Sequence, residues 1–304
     1  MADTLGVAVM AYGTPASPAD VEAYYTHIRR GHAPTSEQLA DLVRRYDAIG
    51  GTSPLAERTE AQRAGLEAAL EARAPGRCRF VLGQKHASPF IEDAVATLAD
   101  DGVDGIVGLV LAPHFSQASV GQYEDRLVAA ASTRGIRVET IDSWHLEPAY
   151  LDFLVHAVRE GLASLPGRTK VLFTAHSLPE RALVDDPYPE QLHESAAAVA
   201  KVVGLDQRDG WAIAWQSAGR TPEPWRGPDV LEVIRDLAAT GEADGVLVCP
   251  QGFVSDHLEV VYDLDIEAAA VAAEVGIAFA RTRVLNDDPA VLGQLADRIL
   301  AIAP

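Results

Sequence analysis

The chain has 304 residues, 48% of them hydrophobic, with 25 Lys and Arg against 44 Asp and Glu, for a formal net charge of −19. So acidic a chain is not built for nucleic acid or anionic membrane surfaces, whose affinity comes from Lys and Arg. Its length suits two α/β domains, no stretch approaches the roughly 18–20 apolar residues of a spanning helix, and two cysteines, Cys78 and Cys249, are too few for a disulfide framework or for a cluster needing about four thiolates.

Short apolar runs alternate with Ala-rich helical runs along the whole chain. A strand is predicted at 6–10, then helices at 19–29, 37–49 and 55–73. Strand 79–83 and helix 91–100 follow, then strand 105–111, helix 120–134 and strand 137–143. A long helix at 147–165 leads to strand 170–175, helix 189–203, strand 211–216, helix 229–239 and strand 245–250. Helices at 256–275 and 289–302 close the chain. Such alternation implies parallel sheets covered on both faces. Two α/β domains are expected, 1–150 and 151–304, with the long helix crossing between them. No basic region and apolar run open the chain, so no secretory leader is expected and a reducing cytoplasm is the expected compartment.

The halves echo each other. Ala11-Tyr12-Gly13-Thr14-Pro15 returns 164 residues later as Ala175-His176-Ser177-Leu178-Pro179, each after an apolar run. Gly83-Gln84-Lys85-His86 is answered 132 residues later by Trp215-Gln216-Ser217. One α/β unit is used twice, with Tyr12 and His176 expected on opposite walls of one cleft. The 32-residue difference between the spacings locates extra chain between Tyr12 and Gln84. It forms an arm, about 16–55, that carries Arg29, Arg30, Arg44 and Arg45. Ligands of open α/β sheets bind beyond the carboxyl ends of the strands, where Tyr12, Gln84 and His176 are predicted to stand.

The strongest local constellation runs from Asp256 to Glu267. On an α-helix Glu259, Asp263 and Glu267 form one acidic stripe, and no Lys or Arg occurs from 256 to 280 to relieve it. Asp256 and Glu259 also fit a capping box; Asp263 and Glu267 lie too deep for that. A row of carboxylates suits a hard or borderline divalent cation. His176 beside such a carboxylate could take protons near neutral pH or bind a metal. Lys85-His86 and Pro113-His114 also end strands. His27, His32, His145, His156 and His193 read as surface or packing residues. Trp211, Trp215 and Trp225 read as core and loop anchors. No dinucleotide or phosphate loop, zinc pattern or nucleophile elbow is present.

Taken together, Val9-Met10-Ala11-Tyr12-Gly13-Thr14-Pro15, Tyr24-Tyr25-Thr26-His27-Ile28-Arg29-Arg30-Gly31, Pro89-Phe90-Ile91-Glu92-Asp93-Ala94, Leu111-Ala112-Pro113-His114-Phe115-Ser116, Ala175-His176-Ser177-Leu178-Pro179 and Asp256-His257-Leu258-Glu259 closely resemble the ferrochelatase family, in particular its soluble, coproporphyrin-type branch. The resemblance covers the whole chain. It implies two Rossmann-like, chelatase-type domains with parallel sheets, related by a pseudo-two-fold, and a porphyrin cleft between them. It implies insertion of Fe²⁺ into a porphyrin, with His176 and Glu259 as the metal-site pair, Asp263 and Glu267 behind them, and Tyr12 as the axial oxygen on the opposite face. Arg29, Arg45, Ser53 and Tyr123 match positions that hold propionates or a peripheral metal, and Lys85 and His86 join the expected substrate contacts. Fe²⁺ is a substrate; no resident cofactor and no iron–sulfur cluster is expected, since the Cys-bearing extension of cluster-containing relatives is absent.

Metallation replaces two pyrrole protons with the ion, so a neutral His176 and an ionised Glu259 are the expected acceptors. The acidic stripe delivers the ion or drains protons; the sequence does not separate these. An Arg-bearing arm on so acidic a chain fits the four propionates of coproporphyrin III better than the two of protoporphyrin. A monomer is expected, with transient contacts to neighbouring enzymes of haem synthesis. The alternatives are a chelatase for protoporphyrin, a chelatase for another metal and tetrapyrrole, such as cobalt and sirohydrochlorin, and a two-lobed protein that only carries haem or metal.

Overall fold

The computed structural model describes residues 4–206, 208–219 and 221–303. The outermost residues of the two expected domains, 1–3 and 304, lie outside the described residues, as do 207 and 220. The chain divides into two compact units.

The first unit holds a parallel sheet of β1 (Leu5–Ala11), β2 (Cys78–Gln84), β3 (Gly105–Val110) and β4 (Arg137–Ile141), in the order β2-β1-β3-β4. Every residue of β1 is buried, which is why its sequence is a continuous apolar run rather than an alternating one. The expected arm consists of α1 (Val21–Ile28) and α2 (Ser36–Ala48). Thr35 and Gln38 close a capping box at the start of α2. Each of these helices buries one residue, Val21 and Tyr46, so they lie outside the core. Helices α3 (Leu55–Arg73), α4 (Ile91–Asp100) and α5 (Val120–Ser132) cover the sheet.

The second unit repeats the plan. Strands β5 (Thr169–His176), β6 (Trp211–Gln216), β7 (Gly245–Cys249) and β8 (Ala278–Arg281) pair in parallel in the order β6-β5-β7-β8. Helices α6 (Pro148–Leu162), α7 (Tyr188–Val203) and α8 (Val230–Thr240) belong to it. Leu172, Val246 and Val248 of the sheet bury against Ile234 and Leu237 of α8 and against Val260, Leu264, Ala268 and Ala272. Strand β8 is not among the predicted elements. It is four half-buried residues long, too short for a periodicity to register.

The predicted helix 256–275 is not one α-helix. A single turn, α9 (Leu258–Val260), opens into a π-helical segment, Val261–Ala268, before α10 (Ala269–Val275). Glu259, Asp263 and Glu267 thus lie on two kinds of turn, Glu259 on α9 and the other two on the π-helical segment.

The expected boundary near 150 is also displaced. Along the chain the division falls between Ser143 and Trp144, and Pro113–Gln117 belongs to the second unit. There Gln117 N and Ser116 Oγ donate to the Asp186 carboxylate at 2.8 and 3.1 Å, and Phe115 N donates to Gln191 at 2.7 Å. The last helix, α11 (Pro289–Ile302), returns to the first unit and packs on α3. A Cβ on Gly65 would come within 2.6 Å of Leu292, and Arg73 pairs with Asp297 at 2.5 Å. Among the described residues no helix is long and apolar enough to cross a membrane.

Candidate functional site

In the second unit His176 ends β5, level with Gln216 at the end of β6. Gly252 passes so close behind the strand end that a Cβ there would stand 2.5 Å from that of Ala175. His176 Nδ1 lies 2.5 Å from the Ser177 carbonyl, which can only accept, so Nδ1 carries a proton and Nε2 faces the site. Nε2 stands 3.6 Å from Glu259 Oε1. The other carboxylate oxygen, Oε2, stands 3.7 Å from His257 Nε2. Burial opposes charge on His176, but Glu259, with the Ser177 carbonyl and Asp263, outweighs it and raises the imidazole to about 9. Burial likewise opposes charge on Glu259, and His176 and His257 overcome it, holding the carboxyl well below the usual carboxylate range. Each group thus favours the charged form of the other.

The other predicted metal residues are placed differently. Asp263 is buried and accepts a hydrogen bond from Ser217 Oγ. Glu267 is half-buried on the π-helical segment. Among the described residues no group of three or more His, Cys, Asp or Glu side chains is arranged to hold a metal ion. Asp256 does not cap the helix, whose first residue has no side-chain cap. It pairs at 3.0 Å with Arg281, which also reaches Asp265 at 2.6 Å. The relief that segment 256–280 lacks comes from the next residue in sequence, at the end of β8.

In the first unit Tyr12 follows β1 and stands 42% exposed, its ring 4.7 Å from that of His86. The turn needs glycine: Gly13 sits at φ +88°, and a Cβ there would meet Ala87 at 2.8 Å. Tyr24 of the arm donates to the Gly13 carbonyl at 3.0 Å, tying α1 to this turn. His86 Nδ1 lies 3.0 Å from His27 Nδ1, and His27 stacks on Phe90. Burial, then the charges of Lys85, His27 and Arg126, push His86 down to about 3. Lys85 holds its ammonium 4.8 Å from the centre of the buried Tyr123 ring. Burial, with Arg126 and Arg30, lowers Lys85 to about 8. Arg126 is fixed by a forked pair with Glu92 and donates to the Lys85 carbonyl at 2.8 Å. On the arm, Arg29 donates to the His32 carbonyl at 3.2 Å, and Arg45 is half-buried on α2. Ser53 is buried, and its hydroxyl accepts from Leu55 N at the start of α3.

His114, a candidate by its place after a strand, is buried in the second unit. Its Nε2 lies 2.9 Å from Ser195 Oγ, which also contacts Gln251 Oε1 at 3.0 Å. It ties Pro113–Gln117 to α7 and takes no place beside His176. The sequence reading assigned no role to Gln216, Ser217 or His257. The echo with Gln84-Lys85 marked the first two positions but not their partners.

The family profile described as Ferrochelatase matches residues 4–302. Two curated relatives bear the name coproporphyrin III ferrochelatase. One, from Geobacillus kaustophilus, is 45% identical, with 98% of this chain and 95% of that protein covered. The other, from Bacillus subtilis, is 44% identical, with 97% of each covered. Among solved structures, SirB from Bacillus subtilis with Fe³⁺ aligns over 99% of this chain and 96% of its own, with TM-score 0.59 at 12% identity. CbiX, described as the terminal enzyme of sirohaem biosynthesis in denitrifying bacteria, aligns over 99% and 100%, with TM-score 0.55 at 14% identity. At such identities the structural likeness speaks for the two-domain chelatase fold alone.

Proposed function

The chain belongs to the ferrochelatase family, and from that premise we propose that it inserts Fe²⁺ into coproporphyrin III, giving coprohaem and two protons. The observation that carries the proposal is the facing of His176 Nε2 and Glu259 Oε1 at 3.6 Å. It stands in a chain matched from end to end by proteins that bear that name.

One imidazole nitrogen and one carboxylate oxygen make a borderline donor pair that suits Fe²⁺ and leaves room for pyrrole nitrogens. The resting proton on His176 balances Glu259 until the ion arrives. Imidazole must be neutral to ligate, so capture of the metal expels that proton. When the ion passes to the ring, His176 Nε2 and Glu259 become the nearest bases for the two pyrrole protons. Tyr12 is assigned the axial oxygen. Arg29, Arg45, Ser53, Lys85, His86 and Tyr123 are assigned to the ring and its propionates, and Asp263 and Glu267 to the path of ion or proton behind Glu259. A cytoplasmic monomer without a resident cofactor, in transient contact with its pathway neighbours, completes the reading.

The test is anaerobic mixing of protein, Fe²⁺ and excess coproporphyrin III, following the free-base spectrum. Consumption of many equivalents per protein supports the proposal. Arrest at one equivalent marks a carrier, and faster turnover of cobalt with sirohydrochlorin or of iron with protoporphyrin marks a different chelatase.

A further inference from the structure

We propose that Gln216 and Ser217 are positioning residues that hold the first wide turn of the π-helical segment and so set Glu259 opposite His176. The inference rests on the reading of Glu259 as the metal-site carboxylate.

Gln216 is 1% exposed, and its Nε2 donates to the Glu259 carbonyl at 2.9 Å. A carbonyl inside a helix ordinarily receives only the backbone N–H of the next turn. A side-chain donor on the same oxygen draws it outward at the place where α9 gives way to π geometry. The amide is oriented one way only. Its Oε1 is buried with no hydrogen-bond partner among the described residues, and a flipped amide would set that oxygen against the Glu259 carbonyl.

Ser217 grips the other end of the same turn. Its backbone sits at φ +60°, a conformation that suits glycine and is strained for serine. From there its hydroxyl donates to Asp263. One side chain thus holds residue 259 and its neighbour holds residue 263, both from the end of β6.

The repeat shows that this use is particular to the second unit. Gln84 occupies the matching place at the end of β2, and its Nε2 donates to the Ser88 carbonyl at 2.6 Å, within its own loop. The glutamine is common to both units; only Gln216 is turned onto the acidic segment.

Three variants test this: Gln216→Leu, Ser217→Gly and Ser217→Asn. Glycine accepts φ +60° without strain, so a loss in Ser217→Gly reports the hydroxyl rather than the backbone. Asparagine tolerates the same region and returns a donor, so it is the rescue. Gln216→Leu and Ser217→Gly are each expected to lower kcat roughly tenfold at unchanged KM for coproporphyrin, the worth of one well-placed hydrogen bond. Amide exchange through residues 259–268 should quicken in both. Ser217→Asn should recover most of the kcat. Wild-type kcat in both loss variants, or Ser217→Asn no better than Ser217→Gly, overturns the inference. If Gln216→Leu does not fold, the Ser217 pair decides it. His176→Ala measured alongside keeps the two readings apart. If it retains turnover, the assignment of the metal site fails. If it abolishes turnover while the loss variants match wild type, only the positioning role fails.

Discussion

His257 Nε2 lies 3.7 Å from Glu259 Oε2, the oxygen opposite to the one that faces His176. His257 Nδ1 meets the Ser255 carbonyl at 2.9 Å, so its ring is held by backbone and points the other nitrogen at the carboxylate. Glu259 is therefore bracketed by two imidazoles, only one of which ends a strand. Removing His257 should loosen the carboxylate without removing a metal donor. His257→Ala is expected to lower kcat by roughly three- to tenfold, about 0.7–1.4 kcal/mol, for a charged contact longer than a hydrogen bond. Steady-state kinetics at saturating porphyrin measure it.

His176 is the donor itself. His176→Ala should reduce metal insertion by about a hundredfold or more, the usual scale for a lost proton acceptor. Coproporphyrin should still bind, as porphyrin fluorescence titration would report. Near-wild-type turnover in the purified variant would falsify the assignment.

The raised pKa of His176 gives the reaction a pH signature. Metal capture needs the neutral imidazole, so the rate at subsaturating Fe²⁺ should climb with pH and level off near the value of about 9. Glu259→Gln removes the carboxylate that raises it. The climb should then move toward lower pH while the maximal rate falls.

The same shift is a stability statement. The His176 pKa is raised in the fold, so its contribution is fully present below the unfolded value of about 6.5. It is lost as pH rises through about 9. The stability difference between wild type and His176→Ala should therefore be larger at pH 6 than at pH 10. Urea unfolding at the two pH values checks the sign.

Arg281 joins Asp256 to Asp265 across the start of the π-helical segment, and its side chain is only 18% exposed. Arg281→Met should cost about 1–2 kcal/mol, because it strands the partly buried Asp256 and unpairs the exposed Asp265. Chemical denaturation reads that loss.

The arm tests the choice of porphyrin. Arg29→Leu or Arg45→Leu should raise KM for coproporphyrin roughly tenfold, with a smaller rise for a porphyrin of two propionates. Equal rises for both would mean that these arginines do not read the extra carboxylates.

Local information was enough to find the doubled unit and seven of the eight strands of the described residues. A buried parallel strand reads as a nearly continuous apolar run, so β1, buried throughout, and β5, buried from Val171 to Ala175, announce themselves, and the end of such a run is where ligands of open α/β sheets bind. That is how Tyr12 and His176 could be singled out, whereas the extra chain of the arm was read from the difference between the two repeat spacings. What the sequence could not carry were contacts whose partners lie far along the chain. The π-helical opening at Val261 differs from an α-helix by one residue per hydrogen bond, too small a change to mark the side-chain pattern. The Arg281 pairs span 16 and 25 residues, the Gln216 clamp 43 and the Ser217 clamp 46. The pull of Glu259 on the His176 proton is hidden for the same reason, since it depends on the distance to a carboxylate 83 positions away in the chain. Residue type and strand periodicity determined which groups could act; the tertiary structure alone decided which were brought together, because charge and hydrogen bonding act over a few ångströms of space rather than along the sequence.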